Sequence, residues 1–145
     1  MKKEIVLVFV LIGILLCLSL FIKKQEYKTI KTIKIGAVML NIEVADTDDE
    51  RMRGLSGRSG LGENEGMLFV FDTEGYYGIW MKEMNFPIDI AWLDKNKKIL
   101  KIENTVDPDT YPKVFNSSIP SLYVLETKAG FFEKFKIKIG DTLDF

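Results

Sequence analysis

From residue 33 onward, apolar and polar positions alternate, and long runs with three- and four-residue apolar spacing are missing, which is the pattern of strands that bury one face. Residues 33–35 and Val38–Ala45 read as two strands around a turn at Gly36, the second presenting Val38, Leu40, Ile42 and Val44 to one side. Thr47-Asp48-Asp49-Glu50 is a capping box. Its threonine hydroxyl and glutamate carboxylate satisfy the free amides of a new helix, expected from residue 48 to about residue 55 and released by Gly54 or Gly57. Gly57, Gly60, Gly62 and Gly66 mark a loop. Further strands are predicted at 67–71, 76–82, Ile88–Leu93, 99–103 and Ser121–Lys128, with a turn at Lys95-Asn96. A helical turn within 129–135 precedes a closing strand at 142–145. The pattern predicts a mainly β domain. Seven or eight short strands with one or two short helices are expected to form a small closed or half-closed β-barrel, which removes exposed sheet edges.

The pattern before residue 23 differs. Residues 5–22 carry no charge and would span about 27 Å as a helix, close to the thickness of a bilayer's hydrocarbon core. This segment reads as a membrane anchor or an uncleaved signal. A cleaved signal peptide fits less well, because no A-x-A-like pair of small residues is present. Leu16 stands before Cys17 where a lipoprotein signal would have a small residue, so Cys17 reads as a buried thiol. Lysines flank the span on both sides. The short amino-terminal tail with Lys2 and Lys3 is the layout of an export signal, and the domain is expected outside the cytoplasm in a single-pass arrangement at the cell membrane.

The 145 residues thus divide into an anchor at 1–22, a basic linker at 23–34 and one domain at 35–145. In the linker, five lysines against one glutamate leave a net charge of +4, whereas 13 basic and 19 acidic residues give the domain −6. A basic strip beside anionic headgroups and an acidic domain beyond it would hold the domain off the membrane, although a plain solvated linker has the same composition. A domain this acidic is a poor partner for nucleic acid.

Five motifs in order, ERMRGLSGRSGL, GMLFVF, WMKEMNFPIDIAWLD, YVLETKAG and IGDTLDF, resemble the prokaryotic domain-of-unknown-function family 192, whose members are often membrane-associated or exported. The resemblance covers roughly residues 33–145. It implies a compact β fold and brings no established activity. Leu55-Ser56 and Glu83-Met84 stand where the family often has Leu-Met and Asn-Thr.

Candidate chemistry comes from three sets of residues. All three arginines, Arg51, Arg53 and Arg58, lie within eight residues, and every other basic residue is lysine. Guanidinium offers a planar fork that grips a carboxylate or phosphate at two points, which ammonium cannot do. Arg51 and Arg58 could hold an anionic ligand, or lock onto Asp89, Asp72 or Glu126 and pin the helix to the barrel. Trp80, near Tyr76, Tyr77 and Trp92, could stack on a planar group or fill a core. Asp89 interrupts an apolar strand and alternates with Ala91 and Leu93, so it is expected to be partly buried and paired with Arg51, Arg58 or Lys82. Glu126 has the same character, and the two acids in one cavity would resemble a glycosidase pair.

With no histidine, no Ser-His-Asp system and no ordinary zinc site can be assembled, and no cofactor or metal is assigned. The expected function is a membrane-tethered binding module at the cell envelope, for a ligand with an anionic or glycan group. Its expected site is Arg51, Arg58, Trp80 and Lys82, with Asp89 and Glu126. The alternatives are a carboxylate hydrolase using Asp89 and Glu126, and an accessory subunit that binds another envelope protein.

Overall fold

Residues 30–145 are described by a computed structural model. The expected anchor at 1–22 and residues 23–29 of the linker lie outside the described residues. Among the described residues, no helix is long and apolar enough to cross a membrane.

Strands β1 (Ile30–Ile35) and β2 (Val38–Ala45) form a hairpin about Gly36. Residues 30–34, assigned to the linker from their lysines, therefore belong to the sheet. Ile33 is buried there and faces Leu40, while Lys31 and Lys34 stay exposed. Helix α1 (Asp48–Arg53) follows, and both arms of its capping box form. Its exit is at Gly54, with φ 50°, where a side chain would be strained and a Cβ would also stand 3.3 Å from the Phe69 ring. A glycine-rich crossover leads to β3 (Glu65–Gly75), which runs parallel to β2. Then come β4 (Gly78–Trp80), β5 (Ile88–Leu93), β6 (Ile99–Val106) and a 3-10 turn at Pro108–Thr110. The chain closes with β7 (Val114–Asn116), β8 (Ser121–Lys128), helix α2 (Phe131–Lys134) and β9 (Leu143–Asp144).

Seven strands form one sheet in the order β6-β5-β8-β3-β2-β1-β9, and β4 pairs with β7 in a separate two-stranded ribbon. The large sheet curls into a half-barrel. Its two edges meet at one end through a bridge between Lys98 and Thr142 and a bond from the Ile99 amide to the Asp141 carbonyl. The mainly β reading and the two short helices hold.

Curling separates two cores. Inside lie Ile33, Leu40, Ile42, Leu68, Leu93 and Leu125, closed at one end by Phe131 and Phe132 of α2. Outside, Met67, Phe69, Ile90, Trp92 and Val124 form a second apolar layer, covered by the β4-β7 ribbon and by Leu55 and Met81 from the loops. Strand β5 is buried on both faces, which accounts for its nearly unbroken apolar run.

Candidate functional site

Between α1 and β4 the outer layer is not filled, and a cavity of about 370 Å³ remains there. Its walls are mostly apolar, supplied by Leu55, Phe69, Phe71, Tyr77, Ile79 and Met84. The Phe71 and Tyr77 rings stack nearly parallel, at 6°, which sets one wall. Gly78 is also part of the lining, and a Cβ there would stand 2.5 Å from a methyl of the exposed Val114 side chain across the ribbon, so a larger residue would force that side chain to move. The size and lining are those of a small-molecule pocket.

Of the six residues expected to form one surface, Arg51, Trp80 and Glu126 line this cavity, and Arg58, Lys82 and Asp89 do not. Trp80 is 40% exposed at the mouth. Trp92 is fully buried in the outer core, donating its indole N–H to the Tyr77 carbonyl at 2.9 Å, so it offers no face to a ligand. Lys82 is exposed; its carbonyl accepts the Ser56 hydroxyl at 2.8 Å and its ammonium lies 3.9 Å from Glu83. Its role here is to stitch two loops together through the backbone.

The arginines divide between architecture and the cavity mouth. Arg51 donates to the carbonyls of Asp46 at 2.5 Å and Val70 at 2.7 Å and to the Asp48 carboxylate at 2.6 Å, with its guanidinium 5.3 Å from the centre of the Phe71 ring. It pins α1 to the middle of β3. Arg58 grips Glu43 with both forks, and this hydrogen-bonded carboxylate raises its pKa above the ordinary arginine value, against the opposing effect of burial. The structural pairing therefore occurs, with Asp48 and Glu43 as the direct ion-pair partners of Arg51 and Arg58, and Glu126 adds its charge to the attraction on Arg58. Arg53, which was left out of the expected site, lines the cavity and is exposed; among the described residues its guanidinium has no hydrogen bond or ion pair. Sequence reasoning dropped it because the last turn of so short a helix cannot be aimed from periodicity.

Asp89 is fully buried on the inner face and does not touch an arginine. One carboxylate oxygen accepts from the amides of Thr105 at 2.8 Å and Gly130 at 3.1 Å, and the other from Phe132 at 3.1 Å. Gly130 begins α2 and has no side-chain cap of its own, so Asp89 caps this helix from a neighbouring strand. The Thr105 amide belongs to an irregular stretch where the β5-β6 register shifts, and Asp89 takes the donor freed there.

Glu126 stands opposite Ile90 in the β5-β8 ladder, while Asp89 stands opposite Thr127. Directly paired residues share a face, so the two acids lie on opposite sides of the sheet. The two-carboxylate hydrolase is removed by this geometry: no substrate can lie between them.

The loops beside the cavity hold one strained residue. Glu83 has φ 57°, and its carbonyl accepts the Gly57 amide at 2.8 Å. Asparagine tolerates the left-handed region better than glutamate does. Glu83→Asn is expected to raise the urea midpoint at unchanged slope, corresponding to about 0.5 kcal/mol. A lower midpoint would mean that the glutamate side chain contributes more than its backbone costs.

The family model DUF192, described as Uncharacterized ACR, COG1430, matches residues 30–145. Two solved structures share the fold. A protein described as a "putative transcription regulator" from Sinorhizobium meliloti is 26% identical with a TM-score of 0.77, over 81% of this chain and 94% of that one. A protein of unknown function from Novosphingobium aromaticivorans is 25% identical with a TM-score of 0.78, over 84% of this chain and 89% of that one. No curated protein matches.

Proposed function

We propose a binding role for this chain, which belongs to the DUF192 family: a module that takes a small ring-bearing anion into the cavity between α1 and β4. The observation that carries the reading is an unfilled apolar cavity with an unengaged guanidinium, Arg53, on its lining. In this role the ring, aromatic or sugar, packs on Trp80 and the aromatic walls, and Arg53 holds the carboxylate or phosphate at the mouth. The reading places the module at the cell envelope, outside the cytoplasm, tethered by the uncharged segment at 5–22.

Nucleic acid is not proposed, although one relative is described as a transcription regulator. The net charge of −6 over residues 35–145 repels a phosphate backbone, and Arg51 and Arg58 are already engaged.

The test is calorimetric titration of the full-length protein with 3-phenylpropionate and phenyl phosphate. Saturable binding is expected, weakened about tenfold in Arg53→Ala through loss of a charged hydrogen bond. Trp80→Ala is expected to weaken it similarly. No saturation by either compound would overturn the reading.

A further inference from the structure

Exposed apolar side chains gather at the mouth of the cavity. Met52 on α1 and Trp80 on β4 both line it, and Val114 pairs with Trp80 across the ribbon, so these two share a face. The ribbon buries Ile79 and Phe115 against the outer core, which turns Trp80 and Val114 outward. Met52 is 66% exposed and Val114 48%, beside the 40% of Trp80. Each has an exposed cation close in sequence: Arg53 after Met52, Lys82 beyond Trp80 and Lys113 before Val114. Apolar and aromatic side chains interleaved with basic ones suit a surface that lies in the interface of a bilayer.

The way the chain enters the fold says what covers this rim. Ile30 stands opposite Glu43, two residues before β2 ends, and α1 begins three residues after it ends. Arg58, on the loop after α1, grips that same Glu43. Chain entry and the α1 wall of the cavity therefore share one end of the domain. Between the uncharged segment at 5–22 and Ile30 lie residues 23–29, which reach at most about 25 Å when fully extended. A domain of this size is about 35 Å across, so a link this short keeps the entry end toward the bilayer.

Resting on the tethered reading above, we infer that the rim of Met52, Trp80 and Val114 docks on the surface of the bilayer that holds the chain, with the cavity mouth opening onto the headgroup layer. Three apolar side chains would hold a free protein on a bilayer only weakly. A tether confines them at high effective concentration and removes most of the cost of association. The attraction is apolar, because the net charge of −6 over residues 35–145 gains nothing from an anionic surface. A neutral phosphatidylcholine surface is therefore sufficient, and its phosphates suit Lys82 and Lys113.

The chain's two tryptophans are Trp80 at the rim and Trp92, fully buried, so its own fluorescence reports the contact. Full-length protein is reconstituted into phosphatidylcholine vesicles, plain or brominated along the acyl chains, and its flotation with the vesicles is checked first. Bromine quenches on contact, and emission in brominated lipid is expected to be about half of that in plain lipid, as for a side chain at interfacial depth. In Trp80→Phe, where only Trp92 emits, the two lipids are expected to give equal emission. Met52→Asp with Val114→Asp keeps both tryptophans and is expected to abolish most of the wild-type quenching. Should these variants not fold, the comparison of the two lipids in the wild type still decides. Equal emission in them would overturn the inference, and shielding of Trp80 from aqueous iodide only at high protein-to-lipid ratio would then assign the rim to a second copy of the chain. Protein that does not float with the vesicles would overturn the tethered reading as well. The cavity's binding role, read from titration with 3-phenylpropionate, stands or falls separately.

Discussion

Asp89→Ala is expected to cost about 4 kcal/mol of unfolding free energy, enough to leave a large unfolded fraction at physiological temperature. The side chain is fully buried and accepts from three backbone amides, those of Thr105, Gly130 and Phe132. Alanine would strand all three donors away from water, and each such group costs roughly 1–3 kcal/mol. The damage spreads beyond the contact. Released from its cap, α2 no longer holds Phe131 and Phe132 over the end of the inner core. Asp89→Asn separates the contributions. Its amide oxygen can still serve one side, while its NH₂ group faces a donor on the other, and a loss of about 2 kcal/mol is expected. Urea unfolding of the full-length variants checks both. Because Asp89 lies on the opposite face of the sheet from the cavity, Asp89→Asn held below its melting temperature is expected to bind 3-phenylpropionate as the wild type does. A cost below about 1 kcal/mol for the alanine variant would mean that the cap does not hold the barrel end.

Where side chains report on a regular backbone, the chain was readable from its residues. Val38–Ala45, Ile88–Leu93 and Ser121–Lys128 have the strand limits that alternation and apolar runs predict. The capping box at Thr47 and Glu50 forms as the spacing requires. The face of Asp89 also follows from alternation, since Ala91 and Leu93 share it. What was not readable depends on who meets whom across the chain. Strand β7 has three residues and no period to detect, so the ribbon that roofs the outer core was missed. Glu43 lies on the polar side of β2, which looks solvated until the parallel β2-β3 crossover carries Arg58 back over it. Asp89 was expected to need a cation, yet a buried carboxylate is equally well satisfied by several amides, and sequence carries no sign of which backbone donors a fold will leave free. The arginine cluster hid a division of labour: Arg51 and Arg58 are held by acids and carbonyls, and Arg53 lines the cavity.

That division is testable by exchanging charge-preserving residues. Arg51→Lys with Arg58→Lys is expected to lower stability by about 3 kcal/mol, while Arg53→Lys changes it by less than about 0.5 kcal/mol. Arg51 serves two backbone carbonyls and Asp48 at once, and a lysine ammonium in its place cannot reach β3 and α1 together. Losing this junction is expected to cost about 2 kcal/mol. Arg58 holds Glu43 with both forks in a half-buried setting, where the exchange to a point charge is expected to cost about 1 kcal/mol. The two sites share no partner, so their losses are expected to add. Binding should divide in the opposite sense: Arg53→Lys keeps the fold and weakens 3-phenylpropionate by loss of the two-point grip. Equal stability losses for the two sets of substitutions would mean that Arg53 also belongs to the architecture, and the anion-binding role would lose its cation. Loss of binding without loss of stability in Arg53→Lys assigns the fork to the ligand, because lysine leaves the net charge of the mouth as it was.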